Sequence, residues 1–127
     1  MLDLKALLSK ILDALKADYV VEQGTDGIWT YRKWASGVAE CWGEYKTTIT
    51  HYTSVFGGYG YNTSVNYPTG LFIAAPQYIY SATVGNGFAL TGTKLGNSTV
   101  YANVYAVCTS AGSQATSWDI SVKGRWK

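Results

Sequence analysis

Between residues 100 and 109 the chain alternates with period two. Val100, Ala102, Val104, Ala106 and Cys108 interleave with Tyr101, Asn103, Tyr105, Val107 and Thr109. Successive side chains of a strand point to opposite faces, so small apolar groups collect on one face and larger, more polar ones on the other. On a helix both sets would scatter around the circumference. The run therefore predicts a strand with a tightly packed inner face. Similar runs recur through residues 18–127: "YVVEQ", "GIWTYRKW", "VAECWGEYK", "KTTITHYTSVF", "LFIA", "PQYIYSATV", "GFALTGTKL" and "SWDISVKGRWK". Turn residues divide them. Roughly eight strands at this spacing predict an all-β head, an antiparallel β-sandwich or barrel. Ala35-Ser36-Gly37 reads as a three-residue hairpin link with glycine in the left-handed position. That link sets Arg32 opposite Glu40 and Thr30 opposite Trp42. It also puts Trp29 on the face away from Trp34 and Trp42.

Residues 1–17 follow a different rule. Leu4, Leu8, Ile11 and Leu15 are spaced by four, three and four, a seam of period 3.5 that Leu7 and Leu12 widen. Lys5, Lys10, Asp13 and Lys16 fill the outward positions, and no Gly, Pro or β-branched run interrupts the helix formers. A helix of about 17 residues is marginal alone in water, so its stripe needs a partner. Two partners fit: the helix folds onto its own β domain, or it joins other copies as a coiled-coil neck. With Leu8 and Leu15 at a, and Leu4 and Ile11 at d, the heptads favour more than two helices. Two domains are expected: a helical neck over 1–17 and a β head over 18–127.

The chain carries little of the apparatus of catalysis. It is 14% charged, with net charge +2, where soluble proteins average roughly a quarter charged residues. Its ten basic residues are scattered, with no stripe to track phosphates, so nucleic acid is not an expected partner. The one histidine, His51, has no companion at metal-ligand spacing, and no triad can be built around it. It reads as a strand residue. "GGYGYN" lacks the lysine and helix of a phosphate loop. Glu40 and Glu44, at i and i+4, stand about 13 Å apart along one strand. A glycosidase pair needs about 5–9 Å across a groove. No enzyme, cofactor or metal is expected. Cys41 and Cys108 sit in apolar runs and read as buried free thiols, a disulfide being the alternative in an oxidising compartment. No stretch has the ~18 apolar residues of a membrane span, so no membrane insertion is expected.

The segment after Phe56, "GGYGYNTSVNYPTG", reads as a loop. Tyr59, Tyr61, Asn62 and Tyr67 are its candidate ligand-binding residues. Sugars are held by flat aromatic faces together with neutral hydrogen-bonding groups, and antibody paratopes use the same composition. The competing reading has these tyrosines capping the barrel end or filling a seam between subunits.

"DYVVEQGTDGIWTYRKWASGVAECWG" resembles a segment that opens the C-terminal domain of tail-fibre or minor structural proteins in phages and prophages of Gram-positive, often gut-dwelling, bacteria. "NYPTGLFIAAPQYIYSA" and "ISVKGRWK" resemble that family more weakly, and the Gly/Tyr/Asn segment does not match it. The resemblance implies a receptor-binding head at the distal end of a homotrimeric tail fibre. The head would sit on a helical neck with Leu4, Leu8, Ile11 and Leu15 as oligomerisation residues. Its implied partners are other phage tail proteins and a bacterial surface polysaccharide or teichoic acid. Its implied location is the virion, after synthesis in the host cytoplasm, which favours reduced thiols. A neck starting at residue 1 reads as a piece of a longer tail protein. The alternative is a structural trimerisation and capping domain with no ligand of its own.

Overall fold

A computed structural model describes residues 3–51, 53–85, 87–92 and 98–127, with the side chains of residues 14–16 excepted. Helix α1 (Leu4–Lys16) begins where the sequence pattern places it. Asp3 caps it: its Oδ1 accepts from the backbone N–H of Lys5 at 3.0 Å and of Ala6 at 3.3 Å. An N-cap carboxylate satisfies donors that no earlier turn can reach. Ala17 turns to an extended backbone and ends the helix. Leu4, Leu8 and Ile11 remain 66%, 58% and 47% exposed, so the seam is not buried against the chain's own strands. The side chain of Leu15 lies outside the described residues.

Nine strands follow among the described residues: β1 (Val20–Asp26), β2 (Trp29–Trp34), β3 (Val38–His51), β4 (Thr53–Val55), β5 (Gly58–Asn66), β6 (Gln77–Val84), β7 (Ala89–Leu90), β8 (Tyr101–Cys108) and β9 (Gly112–Arg125). They form two antiparallel sheets, one ordered β1-β2-β3-β9-β6 and the other β4-β5-β8-β7. The expected all-β head is present, as two sheets around a shared core. Ala102, Val104, Ala106 and Cys108 of β8 are buried, as their alternation requires. Ala102, Val104 and Ala106 join Cys41, Trp118, Ile120 and Val122 of the five-stranded sheet in one core. Cys41 and Cys108 are buried free thiols. Burial pushes the Cys41 thiol up to about 12.

The β2–β3 hairpin has the expected register: Arg32 opposite Glu40, and Thr30 opposite Trp42. Trp29 is buried, while Trp34 and Trp42 lie half-buried on the outer face. Gly37 takes φ +99°, and a Cβ there would fall 2.4 Å from Arg125 Nη2. The positive φ is what calls for glycine here, and the arginine tip would also have to move to admit a Cβ. Arg125 Nη2 donates to the Ser36 carbonyl at 3.0 Å and Trp126 Nε1 to the Trp34 carbonyl at 2.8 Å, so the C-terminus closes over this turn. Asp18 ties the start of the head to the same turn. It accepts from the Ser36 hydroxyl at 2.6 Å and the Ser36 N–H at 2.9 Å, and these bonds lower its pKa, the hydroxyl first.

Four expectations change. The segment after Phe56 is mostly strand, because β5 pairs along β8 and its glycines lie within or beside the sheet. The "KTTITHYTSVF" run is divided between sheets: β3 ends at His51 and β4 starts at Thr53. "LFIA" forms no strand; Leu71 and Phe72 are core plugs on an irregular segment. In "GFALTGTKL" only Ala89–Leu90 is strand, and residues 93–97 lie outside the described ones.

His51 is fully buried, with Nε2 3.1 Å from Thr116 Oγ1 and its ring edge-on to Tyr61. Burial lowers its pKa below the ordinary 6.5. The folded state therefore holds the ring neutral, and the unfolded chain takes the proton more readily. The contribution is complete above pH 6.5 and is lost as pH falls below it, with a slope of at most about 1.4 kcal/mol per pH unit. Urea midpoints measured from pH 7.5 to 5 should decline in the wild type. In His51→Gln they should be nearly flat over that window. Equal slopes in the two proteins would remove His51 as the cause.

Candidate functional site

The outer face of the four-stranded sheet is built by the other half of the β8 alternation. Tyr101, Asn103, Tyr105 and Val107 point away from the core, opposite Asn66, Ser64, Asn62 and Gly60 of β5. Ser64 Oγ donates to Asn103 Oδ1 at 3.0 Å. β4 extends this face, with Thr53 opposite Gly60 and Val55 opposite Gly58. Gly60 is the low point. A Cβ on it would lie 3.1 Å from Val55 Cγ2 and 3.6 Å from Val107 Cγ2. Around it opens a groove of ≈ 350 Å³ whose lining includes Thr53, Val55, Asn62, Tyr105 and Val107. The groove thus offers a hydroxyl, an amide and a phenol ring over an apolar floor.

Tyr105 is held in place by the sandwich beneath it. Its N–H donates to Tyr80 Oη at 3.1 Å, and its carbonyl accepts from Trp118 Nε1 at 3.0 Å. Tyr78 Oη likewise donates to the Asn103 carbonyl at 3.0 Å. β7 pairs with β8 at Val107 and Cys108, and among the described residues phenols of β6 and an indole of β9 bond the β8 backbone at Asn103 and Tyr105. Burial raises the Tyr80 pKa, as it must for a phenol used as a neutral bridge.

The groove ends at Phe56, which also borders a second, apolar groove of ≈ 580 Å³ shared with Phe88, Leu90 and Val107. Phe56 and Gly57 form the two-residue turn between Val55 and Gly58, with φ +48° and +79°. Two positive φ values mark a type I′ turn, where Asn-Gly is the favoured pair. Phe56 is the one non-glycine with positive φ among the described residues, and its side chain is entirely exposed. Phe88 and Leu90 are 83% and 68% exposed. Residues in sparsely populated backbone regions cluster at binding and switch sites, which makes Phe56 a candidate contact residue.

Of the four residues singled out in the sequence, Tyr61 and Asn62 both line the groove, and Tyr59 and Tyr67 do not. Asn62 faces the groove. Tyr59 alternates to the core side, opposite Cys108; Tyr61, opposite Ala106, packs edge-on to His51 yet stays exposed and borders the groove. Tyr67 is core, 5% exposed, with its ring 5.2 Å from Phe72 and 6.1 Å from Trp29. Burial raises its pKa, and the buried hydroxyl has no partner among the described residues. Reading the segment as a loop concealed the period that separates odd from even positions. Tyr105 was missed although the alternation of β8 already set it on the outer face. The Phe-Gly pair, standing where Asn-Gly is expected, was the available signal for Phe56.

The chain is similar in fold to the P. aeruginosa R1 pyocin fibre, in a structure comprising that fibre's C-terminal residues 323–701. The TM-score is 0.56 at 10% identity, over 97% of this chain and 32% of that one. The likeness is one of fold, and this chain spans about a third of that fibre fragment. No protein-family model matches the chain, and no curated protein does.

Proposed function

We propose that this chain is a non-catalytic receptor-binding head of a phage tail fibre, trimeric through α1, that recognises a glycan on a bacterial surface. The groove over Gly60 carries the proposal: it sets the Asn62 amide, the Thr53 hydroxyl and the Tyr105 ring around one apolar floor. A pyranose has one C–H face for an aromatic or apolar wall and a rim of hydroxyls for neutral hydrogen-bonding groups. The fold likeness to a fibre and the resemblance of residues 18–43 to tail proteins support the same setting. The Gram-positive host is an implication of that resemblance alone. Glu40 is engaged by Arg32 at 3.8 Å and by Trp34 Nε1 at 3.2 Å, which suits a structural carboxylate.

The test is binding of the labelled protein to an array of bacterial polysaccharides and teichoic acids. Asn62→Ala and Tyr105→Ala should each weaken the best ligand by about tenfold or more, since truncating a central contact commonly costs over 1.4 kcal/mol. Both variants should keep the wild-type melting transition to within a few degrees. Unchanged binding in both would sink the groove as the site.

The neck is tested separately. Leu8→Lys with Ile11→Lys places charges in the exposed seam and should turn a trimer into monomers by light scattering, leaving the β head folded. A wild-type monomer would remove the trimer. The capping alternative is favoured by one observation, the apolar Phe56–Phe88–Leu90 surface. It predicts a trimer that binds no glycan, with Phe88 buried on assembly.

A further inference from the structure

The outer face of the five-stranded sheet carries a second trough, on the opposite side of the sandwich. Trp42 of β3, Ser121 of β9 and Ile79 of β6 stand in one cross-strand row. The next row is Glu40, Lys123 and Gln77. Trp42 and Ile79 are two strand spacings apart, about 9–10 Å, with only a serine between them. These walls enclose a groove of ≈ 360 Å³. Ile79 is 72% exposed, an apolar wall with no cover.

The charges around the trough are not equivalent. Glu40 faces Lys123 across the strands but is drawn the other way, to Arg32 at 3.8 Å and Trp34 Nε1 at 3.2 Å. Arg32 is held by Gln23 Oε1 at 3.2 Å and lies 5.0 Å from the Trp42 ring centroid, which braces the indole. Beyond the far end, Glu44 pairs with Lys46 at 3.2 Å. Lys123 makes no ion pair among the described residues. The trough thus combines a braced indole, an aliphatic wall, a serine floor, the Gln77 amide and one uncommitted cation.

We infer that this trough is a second saccharide site, specific for an acidic pyranose such as a uronic acid. The ring would stand between Trp42 and Ile79, its hydroxyls on Ser121 and Gln77, and its carboxylate on Lys123. An uncharged sugar would leave the ammonium unused, and a simple anion would leave both walls unused. The site shares no residue with the groove over Gly60, so the two proposals stand or fall apart.

The experiment is an NMR titration of the full chain with methyl β-glucuronide, methyl β-glucoside and inorganic phosphate in parallel. The glucuronide should shift the Trp42 indole N–H and the backbone amides of Ser121 and Lys123, with affinity about tenfold above the glucoside. Lys123→Gln, an exposed substitution, should erase that preference, and raised salt should weaken it. Asn62→Ala should leave the titration unchanged. Equal binding of glucoside and glucuronide would overturn the assignment. So would phosphate shifting the same amides as strongly, or glucuronide shifts confined to β5 and β8.

Discussion

Trp118→Ala should cost the β head about 3–5 kcal/mol, the range for removing a large buried aromatic. Natural domains hold only about 5–15 kcal/mol in total, so the variant should be close to unfolding at 37 °C. Trp118 is fully buried and stacks on Tyr45 with ring centroids 5.8 Å apart. Its indole N–H also reaches from one sheet to the other, donating to the Tyr105 carbonyl at 3.0 Å. Truncation therefore opens a cavity and leaves a carbonyl at the β8 edge without its donor. The two losses can be separated. Trp118→Phe keeps most of the stacking but not the bond, and should cost about 1–3 kcal/mol, mainly the unsatisfied carbonyl. Urea unfolding should show the midpoint falling in the order wild type, Phe, Ala, with little change in slope. A loss under about 1 kcal/mol for the alanine variant would mean that Trp118 does not join the sheets. Because Tyr105 lines the outer groove, the phenylalanine variant should also weaken glycan binding while the protein is still folded.

How far such features can be read from the chain depends on whether they are local. The β2–β3 hairpin was legible because its link length and Gly37 set the register, and with it the pairing of Arg32 and Glu40. The inner face of β8 was legible because alternation is a property of one strand. Helix α1 was legible as a period of 3.5. The partner of β8 was not, because pairing with β5 joins residues about forty positions apart and no local pattern names that partner. The groove over Gly60 is built entirely from such pairings: Thr53, Asn62 and Tyr105 meet only because β4, β5 and β8 are neighbours. The trough is of the same kind, since Trp42 and Ile79 become its walls only once β9 lies between β3 and β6. Composition marked the stretch near residue 60, but its residues are distributed over both faces of a strand that was read as a loop. Tyr67 shows the consequence: a tyrosine in a Gly/Asn-rich segment looks exposed and is core, because β5 ends beside Trp29, whose Nε1 donates to the Asn66 carbonyl at 2.6 Å.

Phe56→Asn should make the protein more stable and a poorer binder. A side chain in the left-handed region costs roughly 1–2 kcal/mol, and asparagine bears that conformation far more readily than phenylalanine. Phe56 gains nothing from the fold in return, since its side chain is fully exposed. Replacing it should raise stability by about 1 kcal/mol, read as a melting temperature several degrees higher. The same change removes the aromatic that stands where the two grooves meet. If that ring contacts the ligand, binding to the best glycan or to intact cells should fall by tenfold or more. Two companions divide the effects. Phe56→Ala loses the ring but keeps a Cβ in the strained turn, so binding should fall with little gain in stability. Phe56→Tyr keeps the ring and should bind nearly as well as wild type. The opposite signs are the useful outcome, because general damage to the fold would lower stability and binding together. Full binding by the stabilised Asn variant would show that the strained phenylalanine is not held for the ligand.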